Sequence, residues 1–161
     1  MNERMIARML GPAARRIQNM FARGTVALSN AATKMQTLQV NLLAGETLDA
    51  LEHFEPYGFT SRPLPGAEVA ALFVDGDRSH GIVIIAADRR FRIESLEEGE
   101  VAIHDDGSSS IVLKRGGIIE ISAGEEIRLL SPVLTHNGQN IGDSHAHGNV
   151  TNGGGVTSAP I

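Results

Sequence analysis

The sequence predicts a mainly β protein with one helix at its N-terminus. Apolar residues recur at helical spacing only before about residue 24. From Gly24 they alternate, or gather in short blocks cut by Gly, Pro and Asp-Gly. Beyond Arg92 the blocks become short and regular, starting roughly 8–10 residues apart with no helical pattern between them.

Composition narrows the class. The chain has 161 residues, 42% hydrophobic and 20% charged, which fits one ordinary domain or two small ones. It has no Cys, so a disulfide scaffold, a thiolate metal site and a cysteine nucleophile are all excluded. No apolar run approaches the ~18 residues of a spanning helix, so a soluble chain is expected. The N-terminus lacks an uninterrupted apolar core and a small-residue cleavage site, which argues against Sec-type export. Five Phe, one Tyr and no Trp make a base-stacking surface improbable, and a net charge of −5 does not suit a polyphosphate binder. Charge is unevenly spread: residues 1–62 carry seven Lys/Arg against five Asp/Glu, and residues 63–161 carry seven against fourteen. From Leu129 to Ile161 the one charged residue is Asp143. Such a tail is either polar and disordered or packed against something.

The elements follow in order. Met5, Ile6, Met9 and Leu10, then Ile17, Met20 and Phe21, predict a helix from Met1 to about Arg23, decorated by Arg4, Arg8, Arg15, Arg16 and Arg23. A basic amphipathic helix can lie on anionic lipid or pack on protein, and packing on a neighbouring subunit or domain is the plainer expectation. Thr25–Ser29 and Met35–Leu42 read as strands with apolar residues on one face. A polar segment with Glu46, Asp49, Glu52 and His53 follows, and Tyr57–Gly66, with two Pro and two Gly, reads as a loop. Glu68–Val74 and Gly81–Ala87 are apolar strands joined through Asp75-Gly76-Asp77, a strong hairpin signal. Four or five strands in this span suggest a sandwich or a small barrel, with a five-stranded OB-type barrel the natural candidate. Further on, Glu100–His104, Ser110–Lys114, Gly117–Ser122 and Glu126–Leu130 form the ladder. Four short strands offer too little apolar face to stand alone, so they need the barrel or copies of themselves. A β-prism wound from several chains and a single-chain sandwich both satisfy that need.

Metal-ligand spacing occurs once, at His145-Ala146-His147. In an extended strand, residues i and i+2 share a face, so both imidazoles point one way. Two nitrogens under-coordinate most transition metals, whereas three chains around a three-fold axis would supply six. Octahedral nitrogen coordination suits Fe(II), Ni(II) or Co(II) better than Zn(II). The alternative is a pair of surface histidines on a polar tail. A cupin-type site also uses His-X-His but needs a nearby Glu and a later His, and neither follows His147. His136 is a weaker candidate ligand, and His53, His80 and His104 read as scattered surface residues. There is no G-x-S-x-G elbow, Walker loop or His-Glu-x-x-His helix, and Asp105-Asp106 before Gly107 reads as turn chemistry. No enzyme is expected.

Several runs resemble one family. Tyr57-Gly-Phe-Thr-Ser-Arg-Pro-Leu-Pro-Gly-Ala-Glu68, Gly76–Ile84, Asp88–Arg92, Gly99–Asp106, Ile111–Arg115 and Gly142-Asp-Ser-His-Ala-His-Gly148 are similar to the Mu-type phage baseplate spike, also called baseplate assembly protein V or the membrane-puncturing tail spike. The likeness covers roughly residues 24–155. It implies a homotrimer with an N-terminal OB-fold barrel followed by an intertwined triangular β-helix that ends in a metal-capped tip. On this sequence the divisions would be 1–23, a basic amphipathic segment; 24–92, the OB-fold domain; 93–134, the trimeric prism; and 135–161, the needle tip. The resemblance implies one iron ion per trimer, held on the three-fold axis by six histidine nitrogens from His145 and His147 of three chains. It implies tail hub and baseplate proteins as partners, the host outer membrane as target and no nucleic acid. The expected location is the virion baseplate tip, with the host cytoplasm during assembly. This ladder is shorter than the family's, which bears on depth of penetration. Two other classes fit parts of the sequence: an OB-fold nucleic-acid or protein-binding module, and a non-haem metalloenzyme using His145 and His147.

Overall fold

The computed structural model describes residues 3–144. Helix α1 spans Glu3–Asn19, with Pro12 inside it. Ten strands follow: β1 Phe21–Asn30, β2 Thr37–Leu42, β3 Thr47–His53, β4 Glu68–Phe73, β5 Gly81–Ala87, β6 Val101–His104, β7 Ser110–Lys114, β8 Ile118–Ser122, β9 Thr135–His136 and β10 Gln139–Asn140. Strand β1 takes up Phe21–Arg23, which the helical spacing had claimed, because these residues pair with Ala70–Leu72 of β4.

The first five strands close a barrel in the order β1-β2-β3-β5-β4. Every neighbouring pair is antiparallel except β3 and β5, which run parallel where Glu52 faces Ile82 and His53 faces Val83. This is the closed five-stranded Greek-key arrangement expected of an OB-like barrel. Alternation fills it: Leu38, Val40 and Leu42 of β2 and Val69, Ala71 and Phe73 of β4 point inward, joined by Val26, Leu51 and Val83. Leu38, Val40, Phe73 and Val83 are completely buried. The walls pinch at Gly24, where a β-carbon would lie 2.6 Å from Asn41 O. Arg78 closes over the Phe73 ring at 4.4 Å and reaches Glu46 at 3.8 Å.

Two expectations change in the barrel, and both changes come from bulges. The polar segment 46–53 is strand β3. Leu48 faces Val40 while Leu51 faces Leu38, so β3 carries one residue more than β2 over this stretch. Ala50, at φ 55, absorbs the extra residue. The inward residues are therefore three apart instead of two, which hides the strand from a period-two reading. In β1 the register slips between Val26 and Leu28. Val26 is buried and Leu28 is exposed, although simple alternation puts both on one face.

Beyond the barrel, β6, β7 and β8 make an antiparallel three-stranded sheet, and β9 and β10 a minimal hairpin. The span Glu126–Leu130 forms no strand. Among the described residues no strand pairs with it, and Ile127, Leu129 and Leu130 are exposed.

Candidate functional site

Period-two alternation sorts the β6–β8 sheet into two unlike faces. Val101, Leu113 and Ile119 form one cross-strand row, and Ile103, Ile111 and Ile121 form the next. All six lie on the same face, and each is between 41% and 65% exposed. The opposite face carries Ala102, His104, Ser110, Val112, Lys114, Ile118, Glu120 and Ser122; Val112 is buried within the chain, Ile118 is exposed, and Lys114 Nζ donates to Glu120 Oε2 at 3.3 Å. A sheet with one wholly aliphatic face ordinarily packs that face on something. Fully burying a side chain of this kind contributes ~1.5–3 kcal/mol, so covering six half-exposed ones is a large driving force.

Side-chain hydrogen bonds close the turns at both ends of this sheet. Asp105 Oδ1 accepts the backbone N–H groups of Ser109 at 3.1 Å and Gly107 at 2.9 Å, and these bonds hold its carboxyl below the usual range. At the other end Glu100 accepts from the Arg115 and Glu97 backbones, both at 3.0 Å, and Arg115 Nε donates to Glu98 O at 2.7 Å. Past β8 the exposed aliphatics continue with Ile127, Leu129, Leu130, Val133 and Ile141.

Cations around the barrel are largely engaged. Glu68 takes Arg89 at 2.5 Å and Arg23 at 3.0 Å, and Arg90 pairs with Asp88. The groove between the barrel and the β6–β7 turn mixes Arg62, Arg89 and Arg92 with Asp88, Asp105 and Asp106. Exposed aromatic rings sit on the loop 54–67: Phe54, Tyr57 and Phe59, with Tyr57 fully in solvent. No strand of the barrel presents a row of aromatic rings of the sort that stacks single-stranded bases.

The two histidines of the metal motif, His145 and His147, lie outside the described residues. His136 is exposed on β9, opposite Gln139. His80 is exposed, as is His104, whose Nδ1 lies 2.9 Å from Asp105 O. His53 departs from the expected surface position and is 5% exposed at the end of β3. Burial lowers its pKa, with partial compensation from the Glu55 charge. Among the described residues no group of three or more His, Cys, Asp or Glu is placed to hold a metal ion. What sequence reasoning missed was the buried polar corner around His53, since its strand was hidden by the bulge at Ala50.

The closed barrel and the bare aliphatic sheet define an assembly protein of modular β construction. A family model described as "Bacteriophage Mu Gp45, N-terminal" matches residues 23–90, which takes in the barrel from the third residue of β1 to the end of β5. The chain is 35% identical over 144 residues to the "Baseplate puncturing device gp45" of Escherichia phage Mu, covering 85% of this chain and 73% of that protein. It is 32% identical over 115 residues to the "Mu-like prophage FluMu protein gp45" of Haemophilus influenzae, covering 71% of this chain and 63% of that protein. The chain belongs to the Mu gp45 family of phage baseplate proteins.

Proposed function

We propose that this chain is the central spike of a contractile phage tail, or of a phage-tail-like particle, which caps the tail hub and pierces the host outer membrane as the tail contracts. The chain is a structural protein, not an enzyme, in keeping with a phage Mu relative named as a puncturing device. The observation that carries the reading is the aliphatic face of β6–β8. Three copies wound about one axis would turn Val101, Ile103, Ile111, Leu113, Ile119 and Ile121 inward and leave the Lys114–Glu120 ion pair in water. Strand-poor but apolar, the stretch 125–134 would find its pairing partners in the same neighbours. The homotrimer is thus the state in which the exposed surface of one chain becomes a core.

The divisions 1–23, 24–92, 93–134 and 135–161, with the first edge moved back to Phe21 where β1 begins, then act as docking segment, barrel, prism and tip. His145 and His147 from three chains supply six imidazoles to one iron ion. That donor set suits a six-coordinate ion and leaves no open position, so the metal fastens three chain ends and does no chemistry. The partners are the tail hub and baseplate proteins, with the host outer membrane as target and no nucleic acid. The site of action is the virion's baseplate tip, reached after assembly in the host cytoplasm. Addition of the purified chain, driven by centrifugation or pressure, to dye-loaded vesicles of outer-membrane lipid tests the puncturing role. Leakage that depends on applied force supports a mechanical spike. Binding to single-stranded nucleic acid at low salt, with no leakage under force, would favour the nucleic-acid module instead.

A further inference from the structure

The loop 54–67 is pinned to the barrel by a small buried polar relay. Gln36, 9% exposed, precedes β2, and His53, 5% exposed, ends β3. Their backbones are joined by the His53 N–H donating to Gln36 O at 2.8 Å. The Gln36 side chain then reaches two ways: Nε2 donates to Ser61 O at 2.7 Å and lies 3.3 Å from His53 Nδ1. A carbonyl oxygen can only accept, so Ser61 fixes which way round the Gln36 amide sits. With Nε2 fixed as donor, His53 Nδ1 has to accept, and the ring carries its proton on Nε2. Gln36 Oε1 is buried with no hydrogen-bond partner.

We infer that His53 is a proton-operated latch on the 54–67 loop. Protonation places an N–H on Nδ1 that confronts the Gln36 NH2, donor against donor. The amide can answer by turning over, which brings the unpartnered Oε1 to His53. That rotation presents an oxygen to Ser61 O and breaks the 2.7 Å tether. One amide cannot satisfy both neighbours once the imidazole is charged.

Charged groups around the relay act in both directions. Glu55, one turn of chain beyond His53, attracts the imidazolium, but its carboxylate already accepts from Ser61 N at 2.6 Å, Ser61 Oγ at 3.1 Å and Thr60 Oγ1 at 2.9 Å. Drawing it toward His53 would loosen the loop a second time. Lys34 and Arg62 line the same cavity of about 350 Å3, and burial of the ring opposes protonation. From β5, the facing residue is the apolar Val83. The loop so held displays Tyr57 and Phe59, so its release would reposition the most exposed aromatic rings on the chain. This device does not depend on the spike reading.

The test is nitrogen NMR of the His53 ring in the full chain, with amide-exchange protection of residues 54–67 followed from about pH 7.5 to about pH 5. The latch predicts the Nε2–H tautomer at the upper pH and loop protection that falls by up to about tenfold per pH unit as pH drops from the ordinary imidazole value of 6.5 toward the lowered His53 midpoint. Barrel strands should keep theirs, and the loop of a His53→Gln variant should lose its pH dependence. An Nδ1–H tautomer, or loop protection that stays constant while His53 titrates, would overturn the inference. Because the tautomer and the exchange are read in the unaltered protein, a variant that fails to fold leaves the decision intact.

Discussion

Ile103 of β6 lies directly opposite Ile111 of β7, and both side chains stand in solvent, at 54% and 41% exposure. Ile111 stands in the middle strand of this face, which the proposed trimer would bury. On that proposal Ile111→Lys should leave single chains in place of trimers, since an unpaired buried charge costs several kcal/mol per chain. Sedimentation should report the mass of one chain, and the barrel should melt as it does in the parent.

On the proposed six-histidine site, His145→Ala or His147→Ala should each abolish iron binding, because losing one ligand from every chain halves the donor set. A structural metal can contribute on the order of 10 kcal/mol at neutral pH. Iron analysis and a melting curve on the same variant should show metal loss and an early transition, with the barrel transition unmoved.

Inside the barrel, Phe73 is completely buried beneath Arg78. Its truncation in Phe73→Ala should destabilise the barrel by ~3–5 kcal/mol through lost burial and a residual cavity. Urea unfolding measures this directly, and the slope should stay that of the parent.

Helix α1 meets the barrel at Gly76, which has φ +73 and lies where a β-carbon would collide with Arg16 O. Gly76→Ala combines a left-handed backbone with that collision, so it should push α1 off the 3-10 turn at Val74–Gly76. Proteolysis within residues 3–19 should become faster while the barrel stays resistant.

Acid should weaken the barrel through Glu68. The hydrogen bond from Arg89 is the main cause of its lowered pKa; desolvation opposes it, and the Arg89 charge and Arg23 add to it. A depressed carboxylate contributes stability that is present above its unfolded value of 4.5 and is lost as pH falls through the folded one. Asp88, held down first by its hydrogen bond from Arg90, follows the same sign. Melting temperature should fall between about pH 5 and about pH 3, and Glu68→Gln should make that fall shallower.

Much of this architecture is legible in the sequence where alternation is unbroken. Val69, Ala71 and Phe73 mark β4 as a buried strand, and Ser110–Lys114 coincides with β7. Legibility ends where the backbone breaks its own period. Ala50 in a left-handed conformation places Leu48 and Leu51 on one side, which disguises β3 as a polar segment and His53 as a surface residue. Leu28 is misplaced for the same reason, one residue past a bulge. The run Glu126–Leu130 has strand composition but no strand partner among the described residues, because strand pairing needs a neighbour that composition cannot supply. The His-X-His motif is legible by spacing alone, and His145 and His147 lie outside the described residues.

The account rests most heavily on assembly, and native mass with iron content on one sample tests that directly. Three chains carrying one iron are predicted. A metal-free single chain, with the β6–β8 face still exposed, would contradict the spike.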